Sequence, residues 1–305
     1  MKSNYVNYFV VILLIQAIAC TTQKEDKIEA QKPNILFIMS DDHTSQAWGI
    51  YGGTLKDYVH TPNITRMAEE GLVLNNSFCT NSICVPSRAA ILTGQFSNKN
   101  GVYTLSDALE PDSLNIAKVL NKNGYQTAII GKWHLKKEPS GFDYYNILHD
   151  QGRYWDPILR TEKNFHKPSD EWDVHKGFST DVIADLSMKW LDTIDREKPF
   201  MLMTHFKATH EPFDFPDRFK DLYVDDEIPE PASLFDFSPE TNGRSFPGQS
   251  LDQLAWRYGQ ASDAPDKWWC DYPGLPFYTR DMDSISGRKA VYQKLVKDFM
   301  RSGAA

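Results

Sequence analysis

The chain has 305 residues, of which 41% are hydrophobic, 13% aromatic and 24% charged, a composition that supports a sizeable core and excludes disorder as the main state. Four cysteines in this length are too few for a disulfide scaffold. With 33 Lys and Arg against 41 Asp and Glu, a net charge of −8 and no basic run, nucleic acid is excluded as an expected partner.

In chain order, Lys2 precedes an apolar run over residues 9–19, broken by Gln16, and then Cys20 and a polar stretch over residues 21–32. The run is well short of the roughly 20 residues a spanning helix needs, so residues 1–19 read as a signal peptide. Its end, Ala17-Ile18-Ala19-Cys20, resembles a bacterial lipoprotein cleavage box. That resemblance implies an exported protein, lipidated at Cys20, tethered by residues 20–32 and held in the periplasm or at the cell surface by a lipid anchor only.

A catalytic domain is expected over residues 33–305. Asn34-Ile35-Leu36-Phe37-Ile38-Met39 is a continuous apolar run of the type buried on both faces of a parallel sheet, expected at the sheet's centre and followed at once by Ser40-Asp41-Asp42. Thr61-Pro62-Asn63 opening and Gly71 closing predict a short helix, and Ser113 to Gly124 repeats the pattern with Leu114, Ala117 and Leu120 on one face. Gln126 to Ile130 reads as a strand ending in Gly131-Lys132-Trp133-His134. Apolar positions 183, 186, 190 and 194 predict a helix from Ser179 to Arg196, and Pro199 separates it from a strand over Phe200 to Phe206. Strands alternating with helices indicate an α/β fold, a mainly parallel mixed sheet flanked by helices. Residues 212–283 read as an irregular excursion on the substrate side, since nine of the 17 prolines fall between Pro212 and Pro276. A last helix is expected over residues 287–300.

Open α/β sheets bind ligands at the carboxyl ends of their strands. There the sequence delivers Asp41 and Asp42, then Lys132 and His134, then Lys207 and His210. Adjacent carboxylates suit a hard divalent cation, and a Lys with two His suits an anion and proton transfer. A metal-assisted site for a phosphate- or sulfate-like group is the simplest reading. Between the first two groups, Pro86 and Gly94 frame a helix that puts Cys84 at its N-terminus, where free N–H groups stabilise an anion and a nucleophile is well placed.

The full stretch Cys84-Val85-Pro86-Ser87-Arg88-Ala89-Ala90-Ile91-Leu92-Thr93-Gly94 resembles the signature of the type I, formylglycine-dependent sulfatases of the alkaline-phosphatase-like superfamily. The resemblance extends through Pro33 to Asp42, Thr61-Pro62-Asn63-Ile64, Gly124-Tyr125, Gly131-Lys132-Trp133-His134-Leu135 and His210. It implies a sulfuric ester hydrolase acting on a sulfated polysaccharide or oligosaccharide, with calcium as cofactor and a formylglycine-generating enzyme as maturation partner. By that resemblance Asp41 and Asp42 hold calcium, and Cys84, as formylglycine, is both nucleophile and metal ligand. Arg88 holds the formylglycine and the metal site, Lys132 and His134 contact the sulfate and the hydrated aldehyde, and His210 assists the leaving oxygen. A hydrated aldehyde offers two hydroxyls on one carbon: one attacks sulfur, and deprotonating the other expels sulfate by C–O cleavage. The alternatives are a phosphodiesterase or phosphonate hydrolase of the same superfamily and a noncatalytic surface glycan-binding lipoprotein.

Two departures accompany the resemblance. Thr209 stands before His210 where many relatives carry Pro. The relatives also complete the calcium site with an Asp and an Asn or His from a later strand, followed by a Lys. No such segment is recognisable here, which implies an incomplete domain and a chain expected to be inactive or nearly so. Asp226, Asp266 and Asp283 lie in the irregular region and are not promoted. Trp268, Trp269, Tyr272 and Tyr278 are candidates for sugar stacking, Arg153, Tyr154 and His175 lie where a substrate loop is plausible, and Cys79 and Cys270 could pair.

Overall fold

The computed structural model describes residues 32–211, 213–223 and 225–229. The signal peptide, most of the tether, the helix at 287–300 and the candidates Asp266, Asp283, Trp268, Trp269, Cys270, Tyr272 and Tyr278 lie outside the described residues. Among the described residues no helix is long and apolar enough to cross a membrane.

Six strands make one sheet: β1 (Ile35–Met39), β2 (Gln126–Gly131), β3 (Tyr144–Leu148), β4 (Ile158–Thr161), β5 (Asp173–Val174) and β6 (Phe200–His205), in the order β1-β6-β2-β3-β4-β5. The first four of that order run parallel, and β4 and β5 add antiparallel pairs at one side. The helices are α1 (Pro62–Glu70), α2 (Cys84–Thr93), α3 (Ile116–Lys122) and α4 (Ser179–Thr193), with a single turn at Ser97–Asn100.

Alternation along the central strands divides the core in two. Val85, Ala89 and Leu92 of α2 and Ala117 of α3 pack with Ile129, Met201 and Met203 on one face. Val182, Ile183 and Trp190 of α4 pack with Ala128, Ile130 and Leu202 on the other. Each fully buried aliphatic side chain contributes about 1.5–3 kcal/mol relative to exposure, so the two layers fix β2 and β6 as the frame on which the loops at their ends are built.

Several sequence expectations need correction. Among the described residues β1 pairs with β6 alone, and it is not buried on both faces. Ile35 and Phe37 reach the core, whereas Leu36 and Ile38 are 53% and 55% exposed, because α4 covers β2 and β6. α3 begins at Ile116 rather than Ser113: the Asn115 side chain accepts from Lys118 N at 3.0 Å and starts the helix there, leaving Leu114 exposed. α4 ends at Thr193, since Ile194 is already extended at φ −71°, ψ 153°. Strands β3, β4 and β5 were not anticipated; they are short and carry polar residues such as Arg160 and Asp173 that mask the period.

Gly131 ends β2 at φ 101°, and a Cβ there would lie 2.0 Å from His205 O. Gly124 also has positive φ, 84°, but opens onto free space. Gly124→Ala is expected to cost about 1–2 kcal/mol from backbone conformation alone. Gly131→Ala should lower the thermal midpoint far more, because it forces β2 and β6 apart at the site. Equal shifts of the two midpoints, followed by circular dichroism, would refute this account of the β2–β6 contact.

Candidate active site

One row of residues crosses the sheet at the carboxyl ends of its parallel strands: Met39 opposite His205, His205 opposite Gly131, Gly131 opposite Ile147, and Ile147 opposite Arg160. The chain leaves this row as Asp41-Asp42, Lys132 to His134, His149-Asp150 and Lys207 to His210. The ladder continues past the strands through Phe206 N to Met39 O at 2.8 Å, Lys132 N to His205 O at 2.8 Å, and Asp41 N to Ala208 O at 2.9 Å. Backbone bonding thereby sets the spacing of the site's side chains before any side-chain contact forms.

Asp41 is buried between two buried cations. Lys132 Nζ donates to its Oδ2, and Arg88 Nη2 lies 3.6 Å from the same oxygen. Burial pushes the Asp41 carboxyl up, but Lys132 and Arg88 outweigh it and hold the group below the usual carboxylate range. Arg88 reaches further: its Nη1 donates to Lys132 O at 2.5 Å and sits 3.3 Å from His205 Nδ1. A third cation, Lys207, lies 4.9 Å from the Tyr154 ring centroid; burial, and then the charge of Lys132, pushes it down to about 7. Asp42 remains over half exposed, with φ 50° and its Oδ2 3.5 Å from His210 Nε2. Arg88 and Lys132 thus bring two positive charges to one buried carboxylate, an environment that attracts an anion.

The histidines are oriented by acceptors. His210 Nδ1 is 2.7 Å from Glu211 O, which can only accept, so Nδ1 carries a proton and Nε2, facing Asp42, is the nitrogen that gains or gives one. Tyr154 OH donates to His210 O at 2.5 Å and fixes this loop from behind. His134 Nε2 lies 3.5 Å from Asp150 Oδ1, while its Nδ1 is buried without a partner. Burial and then Lys132 push His134 down to about 3, so it is neutral near pH 7.

α2 presents Cys84 as its first residue. Ser87 N to Ile83 O at 2.9 Å is its first backbone bond, and Gly94 closes it in the left-handed region with Gly94 N to Ala90 O at 2.8 Å. Ligand atoms of Asp41, Cys84 and His210 lie within 4.8 Å of one another. Burial raises the Cys84 thiol pKa, with Asp41 and Asp42 adding to the effect and Lys132 opposing it. The thiol therefore stays protonated. A sulfur and an imidazole suit softer metals than calcium; an oxygen at position 84 beside Asp41 and Asp42 would instead make one side of a hard-cation site, which takes about 6–8 oxygens.

The structure brings together Asp41, Asp42, Cys84, Arg88, Lys132 and His210, with His134 joining from the loop after β2. Tyr154 joins by its hydroxyl. His175, whose N donates to Pro157 O at 3.0 Å, is tied to the β4–β5 side, and Asp226 lies in a turn with its N 3.3 Å from Tyr223 O. Among the described residues, which exclude Cys270, Cys79 has no disulfide partner and lies 3.0 Å from Asn81 O and 3.4 Å from Ser87 Oγ. Sequence reasoning passed over His205, which looks like one more residue of an apolar strand, and Asp150, which follows an unanticipated strand.

A protein-family model for sulfatases matches residues 33–260. An N-acetylglucosamine-6-O-sulfatase of Bacteroides thetaiotaomicron is 39% identical over 315 residues, covering 96% of this chain and 53% of the relative. The human N-acetylgalactosamine-6-sulfatase is 30% identical over 213 residues, covering 60% and 40%. A solved structure of BT4656 in complex with its substrate D-glucosamine-2-N,6-O-disulfate superposes with a TM-score of 0.72 and 33% identity, covering 89% of this chain and 55% of that one. The chain thus spans about half the length of the relatives it matches.

His205 is almost fully buried and is held down to about 3 by burial and then by Arg88, against roughly 6.5 when unfolded. Its folded pKa is depressed, so the unfolded chain takes up the proton first as the pH falls. The stability present above pH 6.5 is lost progressively between about 6.5 and 3. The melting temperature should therefore drop between pH 7.5 and pH 5, and His205→Gln should flatten that drop. An undiminished acid loss in His205→Gln would remove His205 from the account.

Proposed function

The chain belongs to the sulfatase family of the alkaline-phosphatase-like superfamily, and from that premise we propose that the whole protein hydrolyses sulfate esters on a glycan, at the 6-O position of an amino sugar. The observation that carries this reading is the approach of Asp41, Cys84 and His210 within 4.8 Å beside the buried cations Lys132 and Arg88. The amino-sugar preference draws on the names of the Bacteroides relative and of the substrate bound to BT4656.

In this reading residue 84 is formylglycine, made by a formylglycine-generating enzyme, and it supplies a hydrated aldehyde whose hydroxyl attacks sulfur. The raised pKa of the Cys84 thiol accords with the need for that conversion. Asp41 and Asp42, with the oxygen at 84, would hold a calcium ion, which would supply Lewis-acid charge for the sulfate. Lys132 and Arg88 bind the transferring group without reorganising, since both are already buried and anchored. His134, neutral near pH 7, contacts the sulfate and the hydrated aldehyde with Lys132. His210, whose proton affinity burial and then Lys132 lower, presents Nε2 beside Asp42 and assists the departing sugar oxygen.

The apolar run and Ala17-Ile18-Ala19-Cys20 support export and lipidation at Cys20, with the enzyme tethered to a membrane in the periplasm or at the cell surface. Mass spectrometry of protein made in a host with an active modifying enzyme should find formylglycine at 84 and a diacylglyceryl group on an N-terminal Cys20. Unmodified Cys84 alongside a modified control sulfatase, or an unprocessed N-terminus in a host that processes other lipoproteins, would sink the corresponding half of the proposal.

Asp41 and Asp42 should separate by a second measurement. Both Asp41→Ala and Asp42→Ala are expected to weaken calcium binding in a calorimetric titration. Only Asp41→Ala should also destabilise the fold, by about 3–5 kcal/mol, because it strands two buried cations. Calcium binding like the wild type in both variants would overturn the metal assignment.

A further inference from the structure

A cavity of about 320 Å³, in the size range of sugar-sized ligand sites, is lined in part by His134, and none of the roles above uses it. Trp133, His134, Lys136, His149, Asp150 and Arg160 are among its lining residues. Among the described residues three of them keep a buried nitrogen with no hydrogen-bond partner: His134 Nδ1, His149 Nδ1 and Arg160 Nε. His134 is itself more than nine-tenths buried, so its open nitrogen is a standing cost unless a ligand meets it.

The charges around the cavity are unevenly matched. Asp150 is the one carboxylate in its lining, and Lys136 Nζ takes it at 3.1 Å. Arg160 makes no ion pair with a carboxylate among the described residues. Its guanidinium is held by rings instead, 4.1 Å from the Phe165 centroid and 5.0 Å from that of Trp172, with Nη1 3.5 Å from Phe165 O. Rings fix the plane of the fork without satisfying its donors, which leaves a positioned cation for an oxyanion. The register sets its reach: Arg160 stands opposite Ile147, which stands opposite Gly131, so two strand spacings of about 4.8 Å each separate it from the start of the Lys132–His134 loop. A pyranose ring with its substituents spans a gap of that order.

We propose that this cavity is a second subsite, which takes an oxyanion substituent, sulfate or carboxylate, of the glycan whose ester is cleaved at residue 84, with Arg160 as the charge that holds it. His134 lines this cavity and also belongs to the loop after β2 that carries Lys132. The inference rests on the sulfate-ester reading for the first site and adds that a doubly anionic ligand is preferred.

The test is equilibrium binding to the full chain by calorimetry, with three probes: glucosamine 6-sulfate, glucosamine 2-N,6-O-disulfate, and a 6-sulfated glucosamine linked to a uronic acid. The second oxyanion should tighten binding about tenfold, the worth of one charge-assisted hydrogen bond, and whichever of the two doubly anionic probes gains identifies sulfate or carboxylate as the group. Arg160→Met should erase that gain and Arg160→Lys keep part of it. Lys136→Met, at an exposed position where folding is not at stake, should also reduce it, since Asp150 would then face the ligand unpaired. Equal affinity for all three probes, or a gain unchanged in Arg160→Met and Lys136→Met, would overturn the subsite. Sulfate release is measured separately, on the whole protein with formylglycine at 84: an Arg160-dependent gain in binding without hydrolysis of any sulfate ester by that protein would contradict the catalytic reading and leave the subsite standing.

Discussion

The site depends on one buried carboxylate with two buried cations around it. Taking charges out of water costs several kcal/mol per ion, and a one-to-two arrangement is tolerated only when every group is also hydrogen-bonded. Lys132 is bonded to Asp41, and Arg88 is bonded to the carbonyl of Lys132 itself. Loop, helix and strand end are therefore tied by one network: α2 supplies Arg88, β2 leads to Lys132 and β1 leads to Asp41. Burial, and after it the unmatched positive charge, depresses the neighbouring groups. His134, His205 and Lys207 all lose proton affinity to burial first and then to a nearby cation. The same field that discourages protons welcomes an oxyanion.

The sheet turns this local electrostatics into geometry. Four parallel strands end on one row, and each following loop starts from a backbone hydrogen bond to its neighbour, so Asp41, Lys132 and His210 approach one another from separate strands. Precision comes from the packed layers below, where α2 and α4 clamp β2 and β6 from opposite faces. Gly131 belongs to the same arrangement, since only a residue without a Cβ lets β2 pass so close to His205 O.

Much of this was legible in the sequence because it follows from local rules. The apolar run before Asp41-Asp42, the Pro86 to Gly94 frame around α2 and the strand before Lys132 and His134 each announce themselves by composition and punctuation. What escaped were features decided by tertiary pairing. β4 and β5 owe their existence to an antiparallel neighbour rather than to an apolar period. His205 is marked only by facing Gly131, and Asp150 only by following β3. The run Leu36 to Met39 looked buried on both faces, yet which face of a strand is covered depends on where helices land, and that is not written in the strand.

Asp42, His134, Lys136 and Asp150 all adopt positive φ, between 48° and 65°, where side chains larger than hydrogen are strained. For chain stability alone, glycine would be the better residue at each of the four. A selection for heat resistance that ignored activity would therefore drift toward glycine in this ring of loops, gaining stability as it lost charge and proton-transfer groups. The durability of the fold and the chemistry of its mouth pull these positions in opposite directions, so a stabilised variant is to be sought in the helices and not here.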